Sequence, residues 1–297
     1  MVFVAIARVT DQTLAPNFWS TNMIIVTGGS GQLGRKVVDN LLRLMPAERI
    51  GVSVRIPDRL AAVAARGVRV RHGDFENAES LRHAWEGAER LLLISSNAAA
   101  TGGDTLKQHA TAIEVARDLG VDRIFYTSQV SSSENSCFPP GRNHAATERM
   151  LAQSGLAWTS LRHGFYADSA LSMNATAFEK GVLAAPADGK VAWTTHDDLA
   201  AADAAFLTGK IVIDGPTPPL TGGEALDLAD LADLAGEIMG RTIRRTVLPD
   251  EDMKNSFLMG YYLAARAGEF ASVDRTLAEI LGRAPETMRS YMTANLR

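Results

Sequence analysis

Residues 23–34 read Met-Ile-Ile-Val-Thr-Gly-Gly-Ser-Gly-Gln-Leu-Gly, and this stretch decides the fold of the chain. Its first five residues form an apolar and β-branched run, which is typical of a buried strand. Glycines follow at positions 28, 29, 31 and 34, and a segment of helical periodicity begins at Gln32. Glycines between a strand and a helix let the backbone approach a pyrophosphate, whose charge the helix N-terminus stabilises. The stretch therefore predicts a dinucleotide-binding turn.

The spacing of these glycines leaves two questions open. It fits both Gly-x-Gly-x-x-Gly and Gly-x-x-Gly-x-x-Gly, so it does not choose a subfamily, and an ordinary glycine-rich turn is the alternative interpretation. On the dinucleotide interpretation, the loop residues expected to contact the cofactor are Gly28, Ser30, Gly31, Gln32, Leu33 and Gly34.

Short apolar runs alternate with helical segments from Met23 onward, which predicts a parallel sheet with crossover helices. The predicted strands are residues 23–27, 50–54, 68–71, 91–94, 123–127 and 158–161. The predicted helices between and after them are residues 32–44, 59–66, 78–86, 105–119 and 143–153. We therefore expect an α/β protein with a doubly wound parallel Rossmann sheet.

The alternation weakens after residue 163, where we predict helices over 165–180 and 197–206, a last core strand over 210–213, and a mostly helical remainder. Residues 23–163 are expected to form the NAD(P)-binding domain. Residues 164–297 are expected to form a small, mostly helical substrate-binding region, with 191–215 returning to the Rossmann core. Residues 1–22 show no apolar periodicity, so we interpret them as a dispensable extension that is disordered or was added for expression.

Charge and composition exclude several function classes. The net charge is −4 over 297 residues, without a basic run that could neutralise phosphates, so direct nucleic-acid binding is not expected. The single cysteine, Cys137, excludes an internal disulfide and a cysteine-built zinc site, and no metal centre is predicted. Eighteen consecutive apolar residues occur nowhere, so we expect no membrane span and a cytoplasmic location. The sequence allows a homodimer without indicating one.

The end of the second predicted strand suggests which cofactor the chain prefers. An NAD enzyme usually carries Asp or Glu there for the ribose hydroxyls, whereas this chain has Val54-Arg55. An arginine can pair bidentately with a 2′-phosphate. We therefore predict a preference for NADP(H), with NAD(H) as an alternative cofactor and a solvated Arg55 as the alternative interpretation.

The ends of the later strands meet at the same edge of the sheet as the glycine loop. Asp74 could accept from an adenine amino group and Phe75 could flank the ring, although an Asp that begins a turn is equally compatible with the sequence. The cofactor contacts predicted at this edge are Asp74, Phe75, Ile94, Ser95, Ser96 and Thr127.

Short-chain dehydrogenases typically use a Tyr-x-x-x-Lys helix, in which the tyrosine donates a proton to the carbonyl oxygen. None of the five tyrosines of this chain is followed by lysine four residues later, and the corresponding helix contains His144 instead. The protein is therefore either not an enzyme, or an enzyme whose acceptor needs little help from an acid.

Together these segments resemble the NmrA-like, atypical short-chain dehydrogenase family, and most closely its NADPH:quinone oxidoreductase and triphenylmethane reductase branch. The resemblance covers residues 23–297 and depends on the order and spacing of several short motifs. These are the loop Thr27–Gly34, Val54-Arg55, Gly73-Asp74, Leu92–Ser96, Tyr126-Thr127-Ser128, His144–Leu151 and Leu161–Tyr166.

The resemblance implies roles for individual residues. Arg55 and Asp74 would bind the dinucleotide together with the loop, and the Ser95 segment would pass beneath the ribose and nicotinamide. The segment of His144 would close over the cofactor, and this histidine is the candidate proton donor, with a purely structural role as the alternative. The predicted substrate pocket contains His163, Phe165 and Tyr166. The branch usually has asparagine at the position of His163, which could also be structural.

The sequence thus predicts an NADPH-dependent oxidoreductase that transfers hydride to a quinone or a dye-like conjugated acceptor. Such acceptors delocalise the incoming charge, which reconciles a cofactor site with the missing Tyr-Lys pair. The alternative is a non-catalytic, NADP(H)-sensing regulator of the NmrA-like kind.

Overall fold

The computed structural model describes residues 23–254 and 258–296. The predicted extension over residues 1–22 lies outside the described residues. The chain divides into two compact units. The first contains the described residues up to Ser128, Ala146–Leu161 and Ala200–Thr217, and the second contains Gln129–Ala145, Arg162–Leu199 and the described residues from Pro218.

The strands are β1 (Met23–Thr27), β2 (Ile50–Val54), β3 (Arg69–His72), β4 (Ala88–Leu93), β5 (Arg123–Gln129), β6 (Ala157–His163), β7 (Phe165–Tyr166), β8 (Val182–Pro186), β9 (Trp193–Thr194), β10 (Gly215–Pro216) and β11 (Arg244–Leu248). The helices are α1 (Gln32–Leu41), α2 (Ala61–Ala64), α3 (Ala78–Trp85), α4 (Thr105–Asp118), α5 (Pro139–Gln153), α6 (Ala167–Lys180), α7 (His196–Leu207), α8 (Leu228–Met239), α9 (Met259–Arg266), α10 (Thr276–Leu281) and α11 (Met288–Asn295).

A seven-stranded parallel sheet with the order β10-β6-β5-β4-β1-β2-β3 forms the centre of the first unit, which confirms the predicted doubly wound architecture. Ile25, Leu91 and Ile124, on three adjacent strands, are completely buried and pack in one cluster with Trp85 of α3. Each buried aliphatic side chain of this kind contributes about 1.5–3 kcal/mol to folding. The strand order reverses between β1 and β4, which is where open α/β sheets bind ligands.

The predicted strand over residues 210–213 is wrong. The chain instead joins the sheet at β10, where Gly215 pairs with Thr159 and Pro216 with Ser160. The Ile-Val-Ile run of residues 211–213 does bury both isoleucines, and the Thr159 hydroxyl donates to the Ile213 carbonyl at 2.6 Å. The run therefore packs against the sheet without entering its hydrogen-bond ladder.

The second unit is mostly helical, as predicted, and contains two short parallel pairs of strands, β8 with β11 and β7 with β9. Its buried cluster includes many aromatic rings, among them Phe138, Trp193, Tyr261 and Phe270. Within the described part of the chain, no helix is both long enough and apolar enough to cross a membrane.

The division into units differs in detail from the predicted domains. Residues 129–145, expected in the nucleotide domain, belong to the second unit. Of the segment 191–215 expected to return to the Rossmann core, residues 200–215 belong to the first unit and residues 191–199 to the second. The reason is that β6, α5 and α7 each begin in one unit and end in the other. Hydrophobic periodicity identifies each of these elements as one unbroken segment, so it does not predict a unit boundary within them.

Candidate functional site

A cleft of about 870 Å³ lies in the first unit at the carboxyl ends of β1 to β4. The strand ends contribute most of its lining, and the start of α4 contributes Gln108. The lining residues predicted from the sequence are Gly28, Ser30, Arg55, Asp74, Phe75, Ile94, Ser95 and Ser96. The position of the cleft is the one expected for a ligand site in an open α/β sheet.

The glycine loop forms a tight turn between β1 and α1. Gly28 has a φ of 61°, a value that favours glycine, and its N–H donates to the Ser53 carbonyl at 3.1 Å. A Cβ on Gly34 would lie 2.5 Å from the Gly28 carbonyl oxygen, so the turn and the helix can meet only because Gly34 has no side chain. This cradle fits a dinucleotide pyrophosphate at the N-terminus of α1.

The other predicted loop residues do not line the cleft. Gly31 and Gln32 are exposed where α1 begins, whereas Leu33 and Gly34 are buried beneath the turn. The latter two therefore shape the loop from below. Direct contacts between these four residues and a cofactor remain a prediction.

Two arginines lie at the end of β2. Arg55 and Arg59 are both exposed and line the cleft. His72 donates from Nδ1 to the Arg55 carbonyl at 3.0 Å, which ties the backbone of Arg55 to the neighbouring strand. The two guanidinium groups make this part of the cleft suitable for a phosphate group.

Asp74 begins a turn and also borders the cleft, while its predicted contact with adenine stays a prediction. Its Oδ1 accepts from the Glu76 N–H at 3.0 Å, so it begins a turn, and it also lines the cleft beside Phe75. Glu76 in turn accepts from Gln108 Nε2 at 2.5 Å, and the Ser96 hydroxyl donates to the amide oxygen of Gln108. These bonds join the loops that follow β3 and β4.

Three successive backbone N–H groups after β4 each donate to a side chain of a different element. Ile94 donates to Thr27 Oγ1, Ser95 to Thr127 Oγ1 and Ser96 to His109 Nε2, each at 2.9 Å. Thr127 is buried and does not line the cleft, so it supports the loop rather than contacting a ligand in the cleft directly.

His109, which is completely buried on α4, was not predicted from the sequence as a site residue. The available signal was its helical spacing. Thr105, Ala112, Ile113 and Ala116 are buried on the same helix, so His109 is a polar side chain on the buried face. A buried polar group needs hydrogen-bond partners, and those of His109 are the N–H of Ser96, in the loop that lines the cleft, and the Thr147 hydroxyl on α5.

The remaining candidates belong to the second unit. His144 is half-buried on α5, and His163 is buried at the end of β6. The centroid of the Tyr166 ring lies 4.3 Å from that of His196 and 6.4 Å from that of His163. Their roles in proton donation or acceptor binding remain predictions.

Phe165, the other predicted pocket residue, packs in the aromatic cluster of the second unit. Its ring lies 5.0–5.9 Å, centroid to centroid, from four others, those of Phe138, Trp193, Tyr261 and Phe270. The ring is only partly buried.

Comparison with known proteins agrees with this geometry. The NAD(P)H-binding family matches residues 28–208. Quinone oxidoreductase 2 of Escherichia coli is 37% identical over 231 residues, which cover 77% of this chain and 79% of that protein. An NmrA-like family domain-containing oxidoreductase of Aspergillus flavus is 31% identical over 283 residues, covering 88% of this chain and 91% of that protein.

Solved structures give the same result over more of the chain. The NADPH complex of the Escherichia coli quinone oxidoreductase QOR2 superposes with a TM-score of 0.85 and 31% identity, covering 92% of this chain and 99% of that one. Triphenylmethane reductase from Citrobacter sp. superposes with a TM-score of 0.82 and 30% identity over 92% and 99% of the two chains. The chain therefore belongs to the NAD(P)H-binding, NmrA-like family and is an NAD(P)H-dependent oxidoreductase.

Proposed function

We propose that the chain is an NADPH-dependent reductase that transfers hydride to a quinone or a similar conjugated, electrophilic acceptor. The observation that carries this proposal is the cleft of the first unit, which joins a glycine loop suited to pyrophosphate with the guanidinium groups of Arg55 and Arg59. Such groups favour a dinucleotide with a 2′-phosphate over one with a free ribose hydroxyl. NADPH is also the cofactor named for the related Escherichia coli structure.

The reduced dinucleotide, when bound, supplies a hydride from its nicotinamide ring. The residues of the chain bind and orient it. The glycine loop would hold the pyrophosphate, Asp74 and Phe75 would border the adenine, and Ser95 and Ser96 would support the nicotinamide end. Positioning of this kind can lower a barrier substantially without any charged catalytic group.

The absence of the usual Tyr-Lys acid from the sequence supports this class of acceptor. The chain has no Tyr-x-x-x-Lys segment, and burial raises the pKa of Tyr126, whose hydroxyl lies 3.3 Å from Ser95 Oγ, well above its usual value. An acceptor with a delocalised incoming charge needs little acid, and solvent or His144 can supply the proton. Quinones and cationic dyes meet this condition.

The acceptor would bind beside Tyr166, His163 and Phe165. The names of two relatives support this class of acceptor, since one is a quinone oxidoreductase and the other a triphenylmethane reductase. An aromatic ring such as Tyr166 offers a flat surface on which a flat conjugated acceptor can stack.

A screen of NADPH oxidation tests the proposal. The full chain is incubated with NADPH and, separately, a benzoquinone, a triphenylmethane dye and an unactivated ketone, while NADPH absorbance is followed. We expect turnover of the quinone or dye to exceed that of the ketone by at least about 10²-fold, the lower end of what a general acid contributes.

Two other results would overturn the proposal. Equal turnover of ketone and quinone would mean that a residue of the chain supplies an effective acid, and His144→Ala would then identify or exclude His144. Tight NADPH binding without oxidation in the presence of any acceptor would favour the regulator interpretation.

A further inference from the structure

A series of hydrogen bonds lies beneath the Ser95–Ser96 segment. A backbone N–H group fixes which atom is the donor in its first bond. The Ser96 N–H donates to His109 Nε2 at 2.9 Å. A peptide N–H can only donate, so Nε2 carries no hydrogen and the neutral imidazole carries it on Nδ1. Nδ1 therefore donates to Thr147 Oγ1, which lies 2.8 Å away.

The same series continues to the neighbouring serine. The Tyr126 hydroxyl donates to Ser95 Oγ at 3.3 Å and also hydrogen bonds to Thr147. In the arrangement that places the Tyr126 hydrogen on Ser95, Thr147 is the donor in its bond with Tyr126. His109 and Tyr126 also touch edge to face, with ring centroids 5.3 Å apart. Each bond thus points from His109 towards Ser95.

Ser95 ends this series at the wall of the cleft, which it lines. Its N–H donates to Thr127, and its Oγ accepts the hydrogen from Tyr126. The hydroxyl hydrogen of Ser95 is then left for an acceptor in the cleft. We propose that His109 is a positioning residue that, through Thr147 and Tyr126, orients the Ser95 hydroxyl to donate to an oxygen of the bound dinucleotide.

This series of hydrogen bonds orients the Ser95 hydroxyl as a donor and does not deliver protons. Its far end is the peptide N–H of Ser96, which does not release a proton under ordinary conditions, so Ser95 could not regain a proton lost to the acceptor. The proposal therefore concerns cofactor affinity and orientation. It depends on dinucleotide binding in the cleft, and it does not depend on which acceptor is reduced.

A double-mutant cycle on NADPH affinity tests the proposal. Ser95→Ala, Tyr126→Phe and the double variant are titrated with NADPH by calorimetry, without any acceptor. Each single variant should weaken binding about 2- to 10-fold, the usual value of one hydrogen bond. In the Ser95→Ala background Tyr126→Phe should change the affinity less than 1.5-fold, because the group that it orients is gone.

Independent effects would overturn the proposal. If Tyr126→Phe weakens NADPH binding equally with and without the Ser95 hydroxyl, or not at all in the native background, then Tyr126 is only part of the core. Thr147→Val interrupts the hydrogen-bond series at its middle and leaves the side chain of Tyr126 intact. It replaces Tyr126→Phe in the test if that variant does not fold. It should show the same loss and the same coupling to Ser95.

Variants of His109 separate its two bonds. His109→Gln can keep an acceptor for the Ser96 N–H but does not reach Thr147, so it should bind NADPH as weakly as Thr147→Val. The matched control is His83→Gln, which changes an exposed histidine on α3 that does not line the cleft. Its affinity should equal that of the native chain. An unchanged affinity in His109→Gln would show that the bond to Thr147 has no effect on the cofactor.

Discussion

The cleft of the first unit and the aromatic cluster of the second are held in place by different forces. At the cleft, side-chain oxygens and nitrogens of Thr27, Thr127 and His109 fix individual backbone N–H groups. In the cluster, rings such as Phe165 and Phe270 pack directly against one another. Hydrogen bonds are directional and packing is not. Changes at the cleft should therefore alter ligand affinity, and changes in the cluster should alter stability.

The largest expected effect comes from the aromatic cluster. Phe270 is completely buried and contacts the rings of Phe138, Phe165 and Tyr261. Phe270→Ala removes these contacts and leaves a cavity, so we expect a loss of about 3–5 kcal/mol in the free energy of unfolding. Chemical denaturation followed by tryptophan fluorescence measures it, since Trp193 belongs to the same cluster.

The matched control for that prediction is Val273→Ala, which truncates an exposed side chain nearby in the sequence. It should change stability by less than about 0.5 kcal/mol. The folded Phe270→Ala protein should bind NADPH with native affinity. A strong loss of affinity in that variant would break the contrast between the two regions.

The second prediction concerns Arg55 at the cleft. Arg55→Ala should lower the preference for NADPH over NADH by about 10- to 100-fold, because a charge-assisted contact with a 2′-phosphate contributes roughly 1.5–3 kcal/mol. Affinity for NADH should change little. Calorimetric titration of both dinucleotides checks the ratio, and Arg59→Ala should show a smaller shift in the same direction.

Arg43→Ala controls for the general loss of a positive charge, since Arg43 is exposed and does not line the cleft. It should leave the ratio unchanged. If Arg55→Ala also leaves it unchanged, Arg55 is a solvated surface residue and the cofactor preference arises elsewhere.

Some residues of the cleft could be predicted from the sequence and others could not, and the two groups differ in where their chemistry lies along the chain. The strand-glycine-helix stretch at Gly28 and the residues Arg55 and Asp74 were predictable, because their chemistry lies in consecutive residues at strand ends. The roles of His109, Thr147 and Gln108 were not, since their hydrogen bonds join elements far apart in the chain. Such pairings are set by the tertiary fold and leave no periodic signal.

The four strands of the second unit were not predicted, and the two longer ones, β8 and β11, were missed for physical reasons. β8 contains two alanines and ends at Pro186, and the side chains of β11 are mostly exposed. Neither stretch has the β-branched, alternating pattern by which a strand is identified. Conversely, Ile211 and Ile213 have that pattern and are buried beside the sheet rather than within it.

The third prediction concerns the glycine loop. A Cβ at position 34 would lie 2.5 Å from the Gly28 carbonyl oxygen and 2.8 Å from the Gly29 Cα, so Gly34→Ala must push the turn away from α1. We expect a cost of about 1–3 kcal/mol, shared between stability and NADPH affinity. Gly223→Ala is the control, because a Cβ there has no atom within 4 Å. Native stability and affinity in Gly34→Ala would mean that the loop adapts easily.

The smallest effects give the sharpest comparison, because the same substitution can be made in both regions. Tyr126 and Tyr261 are each at most 1% exposed. Burial raises the pKa of both phenols well above the usual value, and the charge of Asp188 adds to the shift at Tyr261. The Tyr126 hydroxyl bonds to Ser95 at 3.3 Å, whereas that of Tyr261 has no hydrogen-bond partner among the described residues.

We therefore expect Tyr→Phe to change the free energy of unfolding differently at the two positions. Tyr126→Phe should lower the free energy of unfolding by about 1 kcal/mol at neutral pH, since it breaks a buried hydrogen bond. Tyr261→Phe removes a desolvated hydroxyl without breaking a bond, so stability should stay the same or rise by up to about 1 kcal/mol. Above a pH of about 10 an unfolded tyrosine loses its proton while these buried ones keep theirs, so each stabilises the native chain less as the pH rises. Each phenylalanine variant should accordingly lose less stability than the native chain between about pH 9 and pH 11, as measured by chemical denaturation. A destabilisation by Tyr261→Phe as large as that by Tyr126→Phe would show that the cluster, like the cleft, depends on a polar contact.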